Sequence, residues 1–286
     1  MKGYTYDGSK EFSYLKFDTT DTGGLKKEEA IELMNKNLQE IDVLQKKFYA
    51  EKKMGLIFLF QAMDAAGKDG TIQAVLSCLS PHGVRECAFK APNSTELSHD
   101  FLWRIHHCVP ERGQIAIFNR SHYEDVLISK VHKLYKNQPK ASYIKDSEII
   151  DTRYEDIRNF EKYLYNNSIR VVKIFLNVSK KEQTKRFLAR IDQKEKNWKF
   201  SSADMSEREF FEEYQKAFKD AINNTATKYC PWYVVPADHK LYMRYVVSQI
   251  ILDTLRDIDP EYPEIDDETA KQLKGYKKIL KEELEK

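Results

Sequence analysis

Residues 55–72 read Gly55-Leu56-Ile57-Phe58-Leu59-Phe60-Gln61-Ala62-Met63-Asp64-Ala65-Ala66-Gly67-Lys68-Asp69-Gly70-Thr71-Ile72. The apolar run is too short for a helix core and rich in branched and aromatic side chains, the pattern of a parallel strand buried on both faces. It runs into a turn of small residues and then Gly67-Lys68, which predicts a phosphate-binding loop. Ala65, Ala66 and Gly67 carry little or no side chain, so successive backbone N–H groups can close around an anion. The helix beginning near Lys68 adds its positive end, and the Lys68 ammonium can reach a phosphate oxygen.

Two positions depart from the pattern G-x-x-x-x-G-K-[ST]. Ala62 stands where the first Gly would be, and Asp69 where the metal-binding hydroxyl would be. Without that hydroxyl a magnesium ion needs another hard oxygen, and Asp64 inside the loop is the obvious supplier. For the loop alone, the plain alternative is a strand and helix joined by a small-residue turn with a solvated Lys68.

The 286 residues suffice for one large α/β domain with elaborations. Charged residues make up 32% of the chain, but the formal net charge is only +2, so a polyanionic partner must meet a local basic patch. The four cysteines, Cys78, Cys87, Cys108 and Cys230, lack C-x-x-C spacing, which argues against a zinc site and a disulfide framework. No apolar run reaches transmembrane length, and the first residues lack the apolar core of a signal peptide; a cytoplasmic location is expected.

Outward from the loop, apolar residues from Ile31 to Phe48 recur at helical offsets and predict a packing helix from Leu25 to Lys53. Downstream, the helix after the loop should run to Leu79, and Val84 to Phe89 reads as a second strand that brings Lys90 to the ligand-facing end of the sheet. Thr95 to Cys108 reads as one helix carrying Arg104, a possible phosphate contact; His106 and His107 are adjacent and diverge, so no metal pair is expected. A second strand-to-cluster transition follows, Gln114-Ile115-Ala116-Ile117-Phe118-Asn119-Arg120-Ser121-His122-Tyr123-Glu124-Asp125. Polar residues at the carboxyl end of a parallel strand face ligand. Arg120 suits phosphate charge and Asp125 a metal ion, whereas Ser121 and Glu124 form a possible capping box, with Glu124 open to either use.

Residues 130–145 read as an exposed loop, 149–165 as a helix, 169–178 as a strand and 179–190 as a helix capped by Ser179. Arg186 and Arg190 lie four apart and share a helix face. Together with Lys194, Lys196 and Lys199 they suggest a mobile lid closing over an anion, at about 186–205. A helix at 207–223, a last strand at 232–236 and a covering helix at 238–258 complete the core. The expected division is an N-terminal extension and packing helix at 1–54, a core at 55–258, and a Pro-punctuated arm and helix at 259–286.

Asp64-Ala65-Ala66-Gly67-Lys68-Asp69-Gly70, Phe118-Asn119-Arg120-Ser121-His122-Tyr123-Glu124-Asp125 and Trp198-Lys199-Phe200-Ser201, in that order, closely resemble the family-2 polyphosphate kinases, from about Leu25 to Ile258. The resemblance implies an α/β, P-loop kinase-like (thymidylate-kinase-like) fold, a parallel sheet flanked by helices with a helical lid. It implies reversible phosphate transfer from inorganic polyphosphate to AMP and ADP, giving ADP and ATP, with Mg2+ or Mn2+ as cofactor and guanine nucleotides as further acceptors. The Asn-Arg-Ser-His-Tyr-Glu-Asp form resembles the subgroup that accepts AMP as well as ADP. On this resemblance Asp64 and Asp125 would serve the metal, and Lys68 and Arg120 the transferred phosphate. Ala65, Ala66, Gly67, Asp69, Gly70, Lys90, Arg104, Asn119 and Glu124 would line the substrates, and Arg186, Arg190 and Lys199 would grip phosphates from the lid. Lys130, His132, Lys194 and Lys196 extend the candidate basic track. A homo-oligomer, dimer or tetramer, is expected, with no nucleic-acid or membrane partner. An ATP-dependent P-loop nucleotide or small-molecule kinase and a non-catalytic phosphate-binding module stand as rivals.

Overall fold

The apolar run at Leu56–Phe60 forms the middle of the sheet. In the computed structural model, which describes residues 2–285, the strands are β1 (Thr5–Tyr6), β2 (Gly55–Ala62), β3 (Val84–Ala88), β4 (Ile115–Asn119), β5 (Ile169–Asn177) and β6 (Trp232–Pro236). Their order is β1-β6-β5-β2-β4-β3, parallel throughout except for β1, which pairs antiparallel with β6. β2 therefore lies between β4 and β5, with Phe60 opposite Asn119 on one side and Ile174 on the other. The chain crosses from β2 to the outer β3, returns to β4, then passes to the far side of β2. This reversal opens a crevice at the carboxyl ends of the strands, where ligands bind in such sheets.

The helices are α1 (Lys27–Glu51), α2 (Lys68–Leu76), α3 (Ser94–Leu97), α4 (Trp103–His106), α5 (Ile128–Val131), α6 (Ile149–Asn166), α7 (Lys180–Asp192), α8 (Lys194–Asn197), α9 (Ser202–Glu207), α10 (Phe211–Thr225), α11 (Lys240–Ile258) and α12 (Asp267–Leu284). Both faces of β2 are covered. Leu56, Phe58 and Phe60 belong to the apolar cluster that holds Ile41 of α1 and Val246 of α11, while Ile57 and Leu59 belong to the opposite cluster with Ile157 of α6 and Phe218 of α10. Each fully buried apolar side chain of this kind stabilises the fold by roughly 1.5–3 kcal/mol.

Three local expectations change. The helix expected at Thr95–Cys108 is two short helices, because Asn93 caps α3 with Glu96 and Asp100 accepts the Leu102 N–H to restart the chain at α4. Residues 130–145 are not merely an exposed loop: α5 and a 3-10 turn at Leu134–Asn137 fold back toward α6. The N-terminal residues, expected as an extension, join the core and supply β1 and an aromatic cluster of Tyr6, Phe12, Tyr14 and Phe17. Among the described residues no helix is long and apolar enough to cross a membrane. α12 contributes no buried residue and exposes Leu273, Tyr276, Ile279 and Leu280.

Candidate active site

The loop after β2 is shaped by its backbone. Ala65 and Gly67 both adopt positive φ, 61° and 96°, and the Ala66 N–H donates to the Met63 carbonyl at 3.1 Å. Glycine suits position 67 because its φ of 96° lies beyond the left-handed region, at about 50–70°, that Ala65 still reaches. The expected role of Arg186 as a phosphate clamp needs correction. Arg186 is buried, and its donors are committed to the protein: Nε to Glu182 (3.0 Å), Nη1 to the carbonyls of Ala65 (3.1 Å) and Ala66 (2.6 Å), Nη2 to those of Ala237 (2.6 Å) and Asp238 (3.2 Å). With these carbonyls turned onto Arg186, the loop and the first turn of α2, including Lys68, Asp69 and Gly70, leave N–H groups for an anion.

Lys68 reaches across the crevice. Its Nζ hydrogen-bonds to Oδ1 of Asn119 at the end of β4 and lies 3.3 Å from Asp69. Asn119 in turn donates to Glu86 of β3 (3.0 Å) and to Asp69 (3.3 Å). Arg120 follows with φ 65°, strained for a non-glycine residue, and its Nη2 stands 3.8 Å from Oδ1 of Asp64. Gln61 at the end of β2 donates to Ser121 Oγ (3.0 Å), which also accepts the Tyr123 N–H (3.1 Å), so Ser121 caps the turn as expected. Phosphate loop and Asn-Arg cluster thus meet over the carboxyl end of β2.

Asp64, Glu124 and Arg120 open on a cavity of about 190 Å³ closed by Gln183, Asp204 and Glu207. Burial raises the Asp64 carboxyl above the usual range, helped by the Asp204 carboxylate and opposed by Arg120 and Arg190. Burial also raises Glu124, with Arg120 opposing, and lowers the Lys68 ammonium. Asp69, although burial pushes it up, is held low by Lys68 and the Asn119 amide. Hard, partly desolvated carboxylate oxygens on one cavity fit Mg2+, which takes one or two protein carboxylates and fills its remaining sites with water and phosphate oxygens. Among the described residues no group of three or more His, Cys, Asp or Glu is arranged to enclose an ion.

Asp125 does not share that cavity. It faces the other side of the turn, buried, 3.6 Å from Arg153 Nη1, and burial raises its carboxyl against the pull of Arg153 and Arg104. The expected pairing of Asp64 with Asp125 on one metal ion is therefore corrected: successive residues of the 3-10 turn His122–Asp125 point about 120° apart, and it is Glu124 that turns toward Asp64. Asp125 lines a larger cavity of about 410 Å³, bounded by Arg104, Arg153, Phe101, Tyr135 and Tyr143. Arg104 is buried there and donates to the Lys90 carbonyl (2.8 Å); Lys90 itself is exposed and engaged through its backbone.

On the lid side, Arg190 pairs with Asp204 (3.1 Å) and Lys199 lies 4.9 Å from the ring centre of the exposed Trp198. Both cations act at the site through space, Arg190 on Asp64 and Lys199 on Asp69. Lys130 and His132 leave the expected basic track, being paired with Asp220 (2.7 Å) and Glu207 (2.9 Å). Three residues not singled out from the sequence matter. Gln183 donates to the Asp64 carbonyl (3.0 Å) and accepts from Arg208 (3.1 Å), tying loop to lid, and Arg153 holds Asp125. Gln183 and Arg153 sit on helices and Arg208 on the 3-10 turn between α9 and α10, all amid many charged residues with no local pattern to mark them.

Comparison with known proteins agrees with this fold. The model of the family described as Polyphosphate kinase 2 (PPK2) matches residues 24–263. An ADP-polyphosphate phosphotransferase of Rhodopseudomonas palustris is 45% identical over 249 residues, 86% of each chain, and an AMP/ADP-polyphosphate phosphotransferase of Meiothermus ruber is 39% identical over 92% of this chain and 96% of its own. The crystal structure of polyphosphate kinase 2 from Arthrobacter aurescens TC1 superposes with a TM-score of 0.83 at 38% identity, covering 92% of both chains. With its phosphate loop, its Asn-Arg cluster and its five-stranded parallel core, this chain belongs to the polyphosphate kinase 2 family.

Proposed function

We propose that this enzyme transfers the terminal phosphoryl group of inorganic polyphosphate to AMP and to ADP, reversibly, giving ADP and ATP. The observation that carries the reading is the meeting of Lys68 with Asn119 over β2, with a phosphate loop and lid on one side and a 410 Å³ cavity on the other. That volume suits a nucleotide, and Arg104, Arg153 and the aromatic rings of Phe101, Tyr135 and Tyr143 offer charge and stacking surface. The polyphosphate end rests on the loop N–H groups and Lys68, reached beneath Arg190 and Lys199.

A phosphate oxygen of the nucleotide attacks the terminal phosphorus, and the bridging P–O bond to the chain breaks in line. No general base is needed, because the attacking oxygen is already ionised. Catalysis is then positioning and charge neutralisation. Lys68 and Arg120 stabilise the charge that spreads over the transferred group, and Asn119 orients Lys68. Asp64 and Glu124 would hold Mg2+, which when bound neutralises phosphate oxygens. The Meiothermus ruber relative, whose name covers both AMP and ADP, supports the two-step acceptor range.

The test is donor dependence. ATP should form from ADP, Mg2+ and polyphosphate alone. ADP phosphorylated only when another nucleoside triphosphate is supplied, and never by polyphosphate, would favour the ATP-dependent kinase instead.

A further inference from the structure

The first turn of α2 is bordered by α11. Thr71 Oγ1 donates to Met243 Sδ at 4.0 Å, and the Met243 methyl lies 3.5 Å from the point where a side chain at Gly67 would begin. Arg244, next in the chain, reaches over Gly70, where its Nη2 lies 3.3 Å from the corresponding point. Glycine at 70 therefore leaves room for a guanidinium against the start of α2. Lys240 stands four residues before Arg244 on the same face of α11, about 6 Å along the axis.

These two cations have no acid to answer them. Among the described residues neither forms an ion pair, and Arg244 Nε is buried with no hydrogen-bond acceptor. Acids on the neighbouring elements are engaged elsewhere: Glu182 with Arg186 and Lys185, Asp69 with Lys68, and Asp238 with Ser179 and Thr19. Partial desolvation lowers the Lys240 ammonium, and the charges of Arg186 and Lys196 lower it further, with Glu182 opposing. α11 also begins with no acidic residue in its first turn, so its N-terminal N–H groups add to the same positive field. A partly desolvated, unpaired cation costs free energy that a bound anion recovers.

The place of the pair in the fold gives it a use. In-line transfer sets the leaving chain opposite the attacking nucleotide. The 410 Å³ cavity is walled by Arg104 of α4, between β3 and β4, whereas α11 follows β6 on the other side of β2. We infer that Lys240 and Arg244 form a distal polyphosphate subsite, which binds internal phosphates of the donor chain once it has passed from the loop over Gly70 and so favours long chains over short ones. Lys196 of α8 adds its charge to this path from the lid. The subsite rests on inorganic polyphosphate being the donor.

The experiment titrates the nucleotide-free full chain with long-chain polyphosphate and, separately, with tripolyphosphate, at several salt concentrations. Lys240→Gln combined with Arg244→Gln should weaken long-chain binding by about tenfold or more, through loss of charge-assisted hydrogen bonds. Tripolyphosphate, which ends on the loop, should weaken by less than about twofold. The slope of log affinity against log salt for the long chain should shrink by roughly one per cation removed. Lys240→Gln alone, at an exposed position, should move both quantities in the same direction, and Lys240→Arg, which keeps the charge, should restore them. Equal weakening of both anions would show that the pair only holds the shape of the loop and would overturn the subsite, as would an unchanged long-chain affinity or salt slope. A wild-type chain that binds polyphosphate in this pattern yet forms no ATP from ADP would count against the proposed function and support the subsite.

Discussion

Arg186 Nη1 donates to the Ala66 carbonyl at 2.6 Å, so a side chain of α7 fixes the shape of the phosphate loop. Lysine keeps the charge but cannot reproduce five donors in a planar fork. Arg186→Lys should therefore leave buried carbonyls unpaired at a cost of about 1–3 kcal/mol each. Chemical denaturation should read that loss, and kcat should fall by more than tenfold. A variant that kept full stability and kcat, changing only the KM for polyphosphate, would return Arg186 to the role of phosphate grip.

The separation of Glu124 from Asp125 makes a second prediction. Asp64→Asn and Glu124→Gln should each raise the Mg2+ concentration required for half-maximal rate, with kcat losses of about 10²-fold or more, the several kcal/mol a bound cation supplies. Asp125→Asn should leave the Mg2+ requirement in place and act on the nucleotide KM. Magnesium titrations of the three variants distinguish these outcomes; an Asp125→Asn enzyme with the same magnesium defect as Asp64→Asn would contradict the assignment.

Burial sets the pH response. Activity needs Asp64 and Glu124 ionised and Lys68 protonated; the carboxyls are raised and the ammonium lowered, so both limbs of the kcat/KM profile should move inward. For stability the signs follow from proton counts. Between their unfolded and raised folded pKa values the native carboxyls bind more protons than the unfolded ones, so stability falls as pH rises through that window. Lys68, depressed in the folded state, gives the opposite slope on the alkaline side, where stability rises with pH between its folded and unfolded values. Asp64→Asn should consequently unfold at slightly higher temperature than wild type above the carboxylate range while losing activity. A lower Tm for that variant without Mg2+ would contradict the desolvation account.

Below the Asn-Arg cluster, Lys173 of β5 and Glu161 of α6 form a fully buried ion pair at 2.7 Å, and Tyr123 donates to the same carboxylate at 2.8 Å. Lys173→Met leaves that charge uncompensated and should destabilise the fold by roughly 3–5 kcal/mol. Replacing both partners, Lys173→Met with Glu161→Leu, should recover part of the loss. Urea titration of the single and double variants checks this; a double variant worse than the sum of its parts would show that the pair is not the source of the cost.

The parallel core was legible because β2 and the Gly67-Lys68 turn are specified locally, by a doubly buried run and by small residues. The Asn-Arg cluster was legible for a similar reason, as a polar sequence ending an apolar strand. Which way its last two carboxylates face was not, since that depends on Ser121 capping a 3-10 turn rather than a full α-helix. The spacing of Arg186 and Arg190 predicts one helix face for both, yet the carbonyls of Ala65 and Ala66 capture the first and Asp204 the second. Those partners arrive from distant parts of the chain. So do the walls of the larger cavity, where Arg153 of α6 meets Asp125.

The most direct test of the account is a time course of nucleotides separated by chromatography, starting from enzyme, Mg2+, long-chain polyphosphate and AMP with no ATP present. ADP should appear first and ATP after it, each at the expense of polyphosphate. AMP left unchanged, together with ADP left unchanged in a parallel reaction, would contradict polyphosphate-driven transfer at Lys68 and Asn119.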